Sequence, residues 1–178
     1  EDDNIKISNL ILDHSIKCSG FLFEEKKRAR KIIKSMVEEY SVPFDKMNSL
    51  KDGADWIDFN GNIISNSVLT EANSLPNKYA FCSDTRYNES MPERIKEVDL
   101  LYHETTFMSE LEDRAEQTGH ATTLQAATIA KKANVKRLLI GHYSQRYKNL
   151  EELLDETRRL FPNTSLSSAG LVIDFKEI

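Results

Sequence analysis

Five short segments of this chain hold residue types that suit hydrolytic metal chemistry. Four carry its four histidines: Leu-Asp-His at His14, Tyr-His-Glu-Thr-Thr-Phe around His103, Thr-Gly-His-Ala-Thr around His120, and Ile-Gly-His-Tyr-Ser-Gln-Arg-Tyr around His142. The fifth, Tyr-Ala-Phe-Cys-Ser-Asp-Thr-Arg, puts Asp84 just past an apolar run. Neutral imidazole and carboxylate are ordinary ligands of a hydrolytic zinc site. One aspartate can use both oxygens to bridge two ions about 3.5–4 Å apart, as two-metal hydrolysis requires. No His-x-His pair and no His-Glu-x-x-His occurs, so the chain is expected to hold only part of a metal site. Each signal is weak taken singly. A lone histidine is more often a hydrogen-bonded surface or core residue, and Asp84 would also suit a turn or a helix N-cap.

The elements that must position these residues alternate. Ile5, Ile7, Leu10 and Leu12 have strand-like spacing and deliver His14 at a strand end, and residues 16–24 read as a second strand. Residues 27–40 predict a helix that Pro43 ends. Residues 44–78 are short pieces, with Asp-Phe-Asn-Gly-Asn-Ile-Ile marking a turn between two strands. From Lys78 onward, strands at 79–83, 100–103, 137–141 and 171–175 alternate with helices at 91–98, 122–133 and 150–161. That alternation implies a layered α/β fold.

In this order, the five segments resemble the C-terminal half of ribonuclease Z, the tRNA 3′-processing endonuclease of the metallo-β-lactamase superfamily. The resemblance runs from about residue 10 to residue 175 and is strongest at 79–85, 100–107, 118–133 and 138–147. It implies the C-terminal half of an αββα sandwich across residues 1–178, with an arm-like insertion at about 25–77. By resemblance His14 would serve one zinc, His142 the other, and Asp84 both. Manganese also suits such a dinuclear site. The remaining ligands and the general base belong to a His-x-His-x-Asp-His motif that this sequence lacks. Glu104 and His120 match the family's His-Glu-Ala-Thr and His-Ser-Thr motifs, with Thr105 in place of alanine and Ala121 in place of serine. Such a pair lets the carboxylate orient the imidazole, so that His120 can protonate the departing ribose oxygen. The competing reading is a helix start at His120 and an unrelated surface pair for Glu104. His103 is expected to be a structural, buried histidine.

Ser144, Arg146 and Tyr147 match the family's Gly-His-(Phe/Tyr)-Ser-x-Arg-Tyr pattern, which implies contact with phosphate and an unpaired base. An arginine paired with Glu151 or Glu152 is the plain alternative. Lys26, Lys27, Arg28, Arg30, Lys31 and Lys34 form the densest basic stretch. It is either a solvated helix face or, by resemblance, part of a tRNA-gripping arm. The net charge of −5 does not decide this, because phosphate recognition depends on local charge.

Composition bounds the rest. With 39% hydrophobic and 30% charged residues in 178, the chain reads as one soluble globular domain. No apolar run approaches the roughly 18–20 residues of a membrane span. Two cysteines without Cys-x-x-Cys spacing fit a reduced cytoplasmic protein. By the resemblance, the expectation is part of a homodimeric enzyme that cuts precursor tRNA after the discriminator base, inactive without its first half. The alternatives are another hydrolase of the same superfamily and a non-catalytic RNA-binding module.

Overall fold

The computed structural model describes residues 3–178. These fall into two compact units, Lys26–Pro76 and a larger one formed by the chain up to Glu25 with Asn77–Ile178. The larger unit begins with β1 (Ile5–Leu12) and β2 (Cys18–Glu25). The smaller follows with β3 (Lys31–Ile32), α1 (Lys34–Glu39), α2 (Met47–Lys51), β4 (Trp56–Ile57), β5 (Ile63–Ile64), α3 (Asn66–Leu69) and β6 (Thr70–Glu71). The larger unit resumes with β7 (Lys78–Cys82), α4 (Met91–Arg94), β8 (Leu100–Glu104), α5 (Glu112–Thr118), α6 (Thr123–Lys132), β9 (Arg137–Gly141), α7 (Glu151–Leu160) and β10 (Thr164–Leu166).

One sheet of six strands, in the order β1-β2-β7-β8-β9-β10, organises the larger unit. β1, β2 and β7 pair antiparallel, while β7 through β10 run parallel. Leu10, Ala80, Leu101, Leu138 and Ile140 project from one face and pack against Ile129 and Ala130 of α6 and Leu153 of α7. Each buried leucine or isoleucine side chain there contributes about 1.5–3 kcal/mol. A capping box, Thr122 with Gln125, fixes where α6 starts and so where the two preceding residues must lie.

The opposite face is apolar too. Phe21, Phe81, Tyr102 and Leu139 form one row across four strands, and Ile7, Phe23, Tyr79 and Leu100 form the next. Phe81 stacks on Tyr102 with centroids 4.8 Å apart, and Phe23 stacks on Tyr79 at 5.7 Å. Even so, Ile7 is 49% exposed and Phe21 39%. No helix residue belongs to either row.

Several expected elements differ. Residues 171–175 form no strand, and Val172 is exposed. The edge beside β9 is taken by β10, because the short link from α7 lays Asn163 against Leu138 and leads straight into pairing. Residues 26–30 are irregular, and the helix expected over 27–40 shrinks to α1. Lys31–Ile32 instead pairs with Thr70–Glu71, and Ile33 is extended. The helix expected over 91–98 stops at Arg94, since Glu97 is left-handed and its N–H donates to Ala133 O. α5 went unpredicted because only Ala115 of it is buried, so its sequence shows no apolar stripe. Asn60-Gly61 does join a two-stranded hairpin, β4 to β5. No helix among the described residues is long and apolar enough to cross a membrane.

Candidate active site

The carboxyl ends of β7, β8 and β9 lie side by side, where parallel sheets usually place their chemistry. The end of β1 reaches the same edge through its antiparallel pairing with β2. Asp84, Glu104, His142 and His14 follow or end these four strands, and Gly119-His120 approaches between α5 and α6.

Glu104 is the centre of the arrangement, with no solvent exposure. Its Oε1 accepts from Thr85 N–H at 3.0 Å and from His120 Nδ1 at 2.8 Å. Its Oε2 accepts from Thr106 N–H at 3.0 Å and from the Thr106 hydroxyl at 2.7 Å. Burial alone would raise this carboxyl, but the bonds from His120, Thr106 and Thr85 outweigh it and hold the pKa below the ordinary value. Glu104 is thus ionised and can only accept, so the nitrogen of His120 facing it carries the proton. That hydrogen bond raises the pKa of His120, against the opposing effect of partial burial, with further help from the charges of Glu104 and Asp84.

His14 is held in the same sense. Its Nδ1 donates to Gly119 O at 2.7 Å, which leaves Nε2 as the open lone pair. Gly119 is left-handed (φ 82°), and a Cβ there would come within 2.6 Å of His14 Nδ1, so two separate constraints demand glycine. Arg86 braces this approach, pairing with Asp13 at 3.1 Å and donating from Nε to Glu116 O at 2.8 Å.

Asp84, His120 and His142 each offer one ligand atom, all within 4.8 Å of one another. His142 Nε2 lies 3.5 Å from Asp84 Oδ1. One carboxylate and two imidazoles are a donor set that fits a divalent cation. The His120 ring neighbours both other site imidazoles, with centroids 5.1 Å from His14 and 5.2 Å from His142. Of the trio expected as ligands, Asp84 and His142 belong to this cluster, and the His14 ring neighbours that of His120. His103 is fully buried, donates from Nδ1 to Glu104 O at 2.7 Å, and has its pKa lowered by burial.

No family model matches this chain. It is 44% identical to a protein named ribonuclease Z from Bacteroides thetaiotaomicron, over 97% of this chain and 55% of that protein. The chain is a homologue of ribonuclease Z. It spans about half the length of the curated relatives it matches. Among solved structures, the metallo-β-lactamase fold protein YhfI from Bacillus subtilis superposes with a TM-score of 0.63 at 17% identity, over 97% of this chain and 50% of that one. The short form of human tRNase Z gives 0.56 at 21% identity, over 98% and 45%. The fold is thus of metallo-β-lactamase type, and this chain supplies one sheet and its covering helices.

Residues carried over from the ribonuclease Z motifs find different settings. Arg146 is exposed, places its guanidinium 5.1 Å from the Phe107 ring centre, and donates to Ser144 Oγ at 3.3 Å. No ion pair joins it to Glu151 or Glu152 among the described residues. Tyr147 is half-buried against the core, and its hydroxyl accepts from Met108 N–H at 2.9 Å, so it braces the segment after β8. Lys26, Lys27 and Arg28 are exposed, whereas Arg30 is committed within its own unit, donating to Thr70 Oγ1 at 2.6 Å and Thr70 O at 3.1 Å. The smaller unit also carries an open cleft of about 690 Å³ lined by Arg30, Lys31, Lys51 and the exposed Phe44.

The sequence reading missed Thr85, Arg86, Thr106 and Glu156 as parts that hold the site. A hydroxyl two residues after the glutamate of His-Glu-Thr-Thr was the available signal for Thr106. Glu156 had none, since it reaches from α7. It accepts from Ser109 N–H at 3.0 Å, from Ser109 Oγ at 2.7 Å and from the Thr123 hydroxyl, clamping segments on either side of His120. Burial raises the pKa of Glu156, but those bonds prevail and hold it below the ordinary value. A depressed carboxyl stabilises the fold above its unfolded pKa, and that contribution is lost as pH falls through the folded value. In the full-length polypeptide, Glu156→Gln should cost about 1.5–3 kcal/mol near neutral pH, as lost bonds to a charged group do. Thermal melts should show this gap closing on acidification below about pH 4. A gap that stays constant with pH would refute the ionised clamp.

Proposed function

We propose that the full-length polypeptide is a metal-dependent endoribonuclease that removes the 3′ trailer of precursor tRNA, cutting after the discriminator base. The observation that carries this reading is the 2.8 Å Glu104–His120 bond beside the Asp84–His142 pair. Phosphodiester hydrolysis needs a proton donor placed next to the groups that hold the phosphate. Zinc ions, or manganese, held by Asp84, His142 and His14 with residues outside this chain, would supply charge neutralisation and an acidified water.

This chain's own residues do the rest. Glu104 keeps His120 in one tautomer and one orientation, and raises its pKa so that more of it is protonated near neutrality. Water, losing a proton to a general base outside this chain, adds to phosphorus, the P–O3′ bond breaks, and His120 gives its proton to the departing ribose oxygen. The products are a 3′-hydroxyl on the tRNA and a 5′-phosphate on the trailer. Arg146 is exposed in the segment after His142, where a guanidinium fork can grip a flanking phosphate. Lys26, Lys27 and Arg28 of the smaller unit are offered as contacts to the tRNA body. We assign the enzyme to the cytoplasm as a homodimer, one subunit's arm holding the tRNA that the other cuts.

The test is cleavage of a labelled, 3′-extended precursor tRNA by the full-length polypeptide with zinc or manganese added. Cutting at the discriminator that a chelator abolishes is the expected result. Binding without cutting would favour a non-catalytic RNA module. Hydrolysis of small esters with the tRNA left intact would favour a different hydrolase of the same fold.

A further inference from the structure

Thr106 follows Glu104 by two residues, is buried, and does no chemistry of its own. Its hydroxyl oxygen lies 2.7 Å from Glu104 Oε2, 2.8 Å from His142 Nδ1 and 3.1 Å from His142 O. A hydroxyl has one proton to give and two lone pairs with which to accept. The ionised Glu104 can only accept, and a charge-assisted bond is roughly twice as strong as a neutral one, so the proton goes to Oε2. Turned instead toward His142 Nδ1, the hydroxyl would set its lone pair against a carboxylate where no water can relieve the repulsion. His142 Nδ1 must therefore be the donor, and Thr106 Oγ1 the acceptor. Nε2 is then left bare, 3.5 Å from Asp84 Oδ1.

We propose that Thr106 is a positioning residue that relays the polarity of Glu104 to His142, locking His142 as the Nδ1–H tautomer with Nε2 open to a divalent cation. One buried carboxylate thereby sets two imidazoles, His120 directly and His142 through a hydroxyl.

The backbone supports the relay. His142 is left-handed (φ 58°), a conformation uncommon for a residue with a side chain. It is held there by bonds on both sides: Thr105 N–H donates to Gly141 O at 2.8 Å, and Ser144 N–H donates to Thr106 O at 3.2 Å. These bonds zip the segment bearing the hydroxyl to the segment bearing the ring. Strain kept at such a point is a usual mark of a site that needs its side chain aimed.

The cation in this proposal rests on the metal-dependent reading of the enzyme, whereas the tautomer does not. The test therefore begins with the full-length polypeptide stripped of metal and labelled with ¹⁵N. Imidazole spectra are recorded about two pH units above the ordinary histidine value of ~6.5. The His142 signals are assigned by their loss in His142→Asn. The wild type and Thr106→Ser should show the Nδ1–H form. Thr106→Val, and Thr106→Ala as a second variant without the hydroxyl, should shift to Nε2–H or a mixture. Zinc affinity, read by competition with a chelating dye, should fall about 10–100-fold in the hydroxyl-free variants and hold in Thr106→Ser. An Nε2–H wild type, or valine and alanine variants that keep Nδ1–H, would overturn the relay. A switched tautomer with unchanged zinc affinity would overturn its link to the cation. A wild type that binds no zinc would sink the metal-dependent reading, while the tautomers still decide the role of Thr106.

Discussion

Replacing His120 with alanine in the full-length polypeptide is expected to slow cleavage of precursor tRNA by about 10²–10⁴-fold, the usual worth of a positioned proton donor. Metal content should not change. The two halves of that expectation separate the roles open to this ring. His120 lies close enough to Asp84 and His142 to be counted among ligands, since their donor atoms fall within 4.8 Å of one another. Its Nδ1, however, is committed to a buried carboxylate that raises its pKa, and a raised pKa favours the protonated ring that cannot bind metal. A group that acts as the protonated acid loses its effect as pH rises through its pKa. Cleavage should therefore decline on the alkaline side only above the ordinary imidazole value of about 6.5. Glu104→Gln removes the charge that raises it, so the alkaline limb should move toward lower pH. Loss of metal in His120→Ala, with His142→Ala still loaded, would recast His120 as a ligand and leave the proton donor unassigned.

How far the sequence could be read depended on whether a residue's partners lie near it along the chain or across the fold. The strands ending near Asp84, Glu104 and His142 were legible because parallel strands covered by helices are continuous apolar runs, and 137–141 is observed as Arg137–Gly141. Thr122-Thr-Leu-Gln-Ala-Ala announces its helix through a local capping box. The final strand was not legible. Leu171 and Val172 look more strand-like than Thr164-Ser-Leu, yet the short turn after α7 leaves only the latter beside β9. The same limit applied within the site. That Glu104 and His120 form a pair could be expected from two motifs, whereas the four donors on Glu104 come from three separate segments. The basic stretch at 26–34 shows the opposite error. Its charges suggested one helix face, but Arg30 spends its guanidinium on Thr70, and residues 26–33 are extended or irregular with only Lys34 entering α1.

The largest expected effect concerns the 178 residues made on their own. Such a chain should show no detectable cleavage of precursor tRNA, and it should self-associate at micromolar concentration. Both expectations follow from one sheet. Its helix-covered face is finished, with Leu101, Leu138 and Ile140 essentially without exposure. Its other face presents Ile7, Phe21, Phe23, Tyr79, Phe81 and Tyr102 in two adjacent rows, and no α-helix among the described residues supplies a core residue against them, only Phe175 lining a cavity beside Phe23 and Tyr79. Phe81 and Leu139 lie in the first of these rows. Leu101 and Ile140 turn to the helices, and Val172 belongs to no strand. A contiguous apolar patch of that kind is a contact surface, because burying it returns about 25 cal/mol for each Å² removed from water. A second sheet packed about 10 Å away is the natural cover in a sandwich. That layer would also bring the His-x-His-x-Asp-His ligands, without which Asp84, His142 and His14 cannot close two four-coordinate sites. Light scattering across a dilution series should show the association, and Phe21→Lys with Phe81→Glu should abolish it while leaving the helix-covered core intact. Adding, as a separate polypeptide, the part of a ribonuclease Z relative that this chain does not span should both dissolve the self-association and restore metal-dependent cutting. A wild-type chain that stays monomeric, or one that cuts at the discriminator without that addition, would show that this sheet and these three ligands need no second layer.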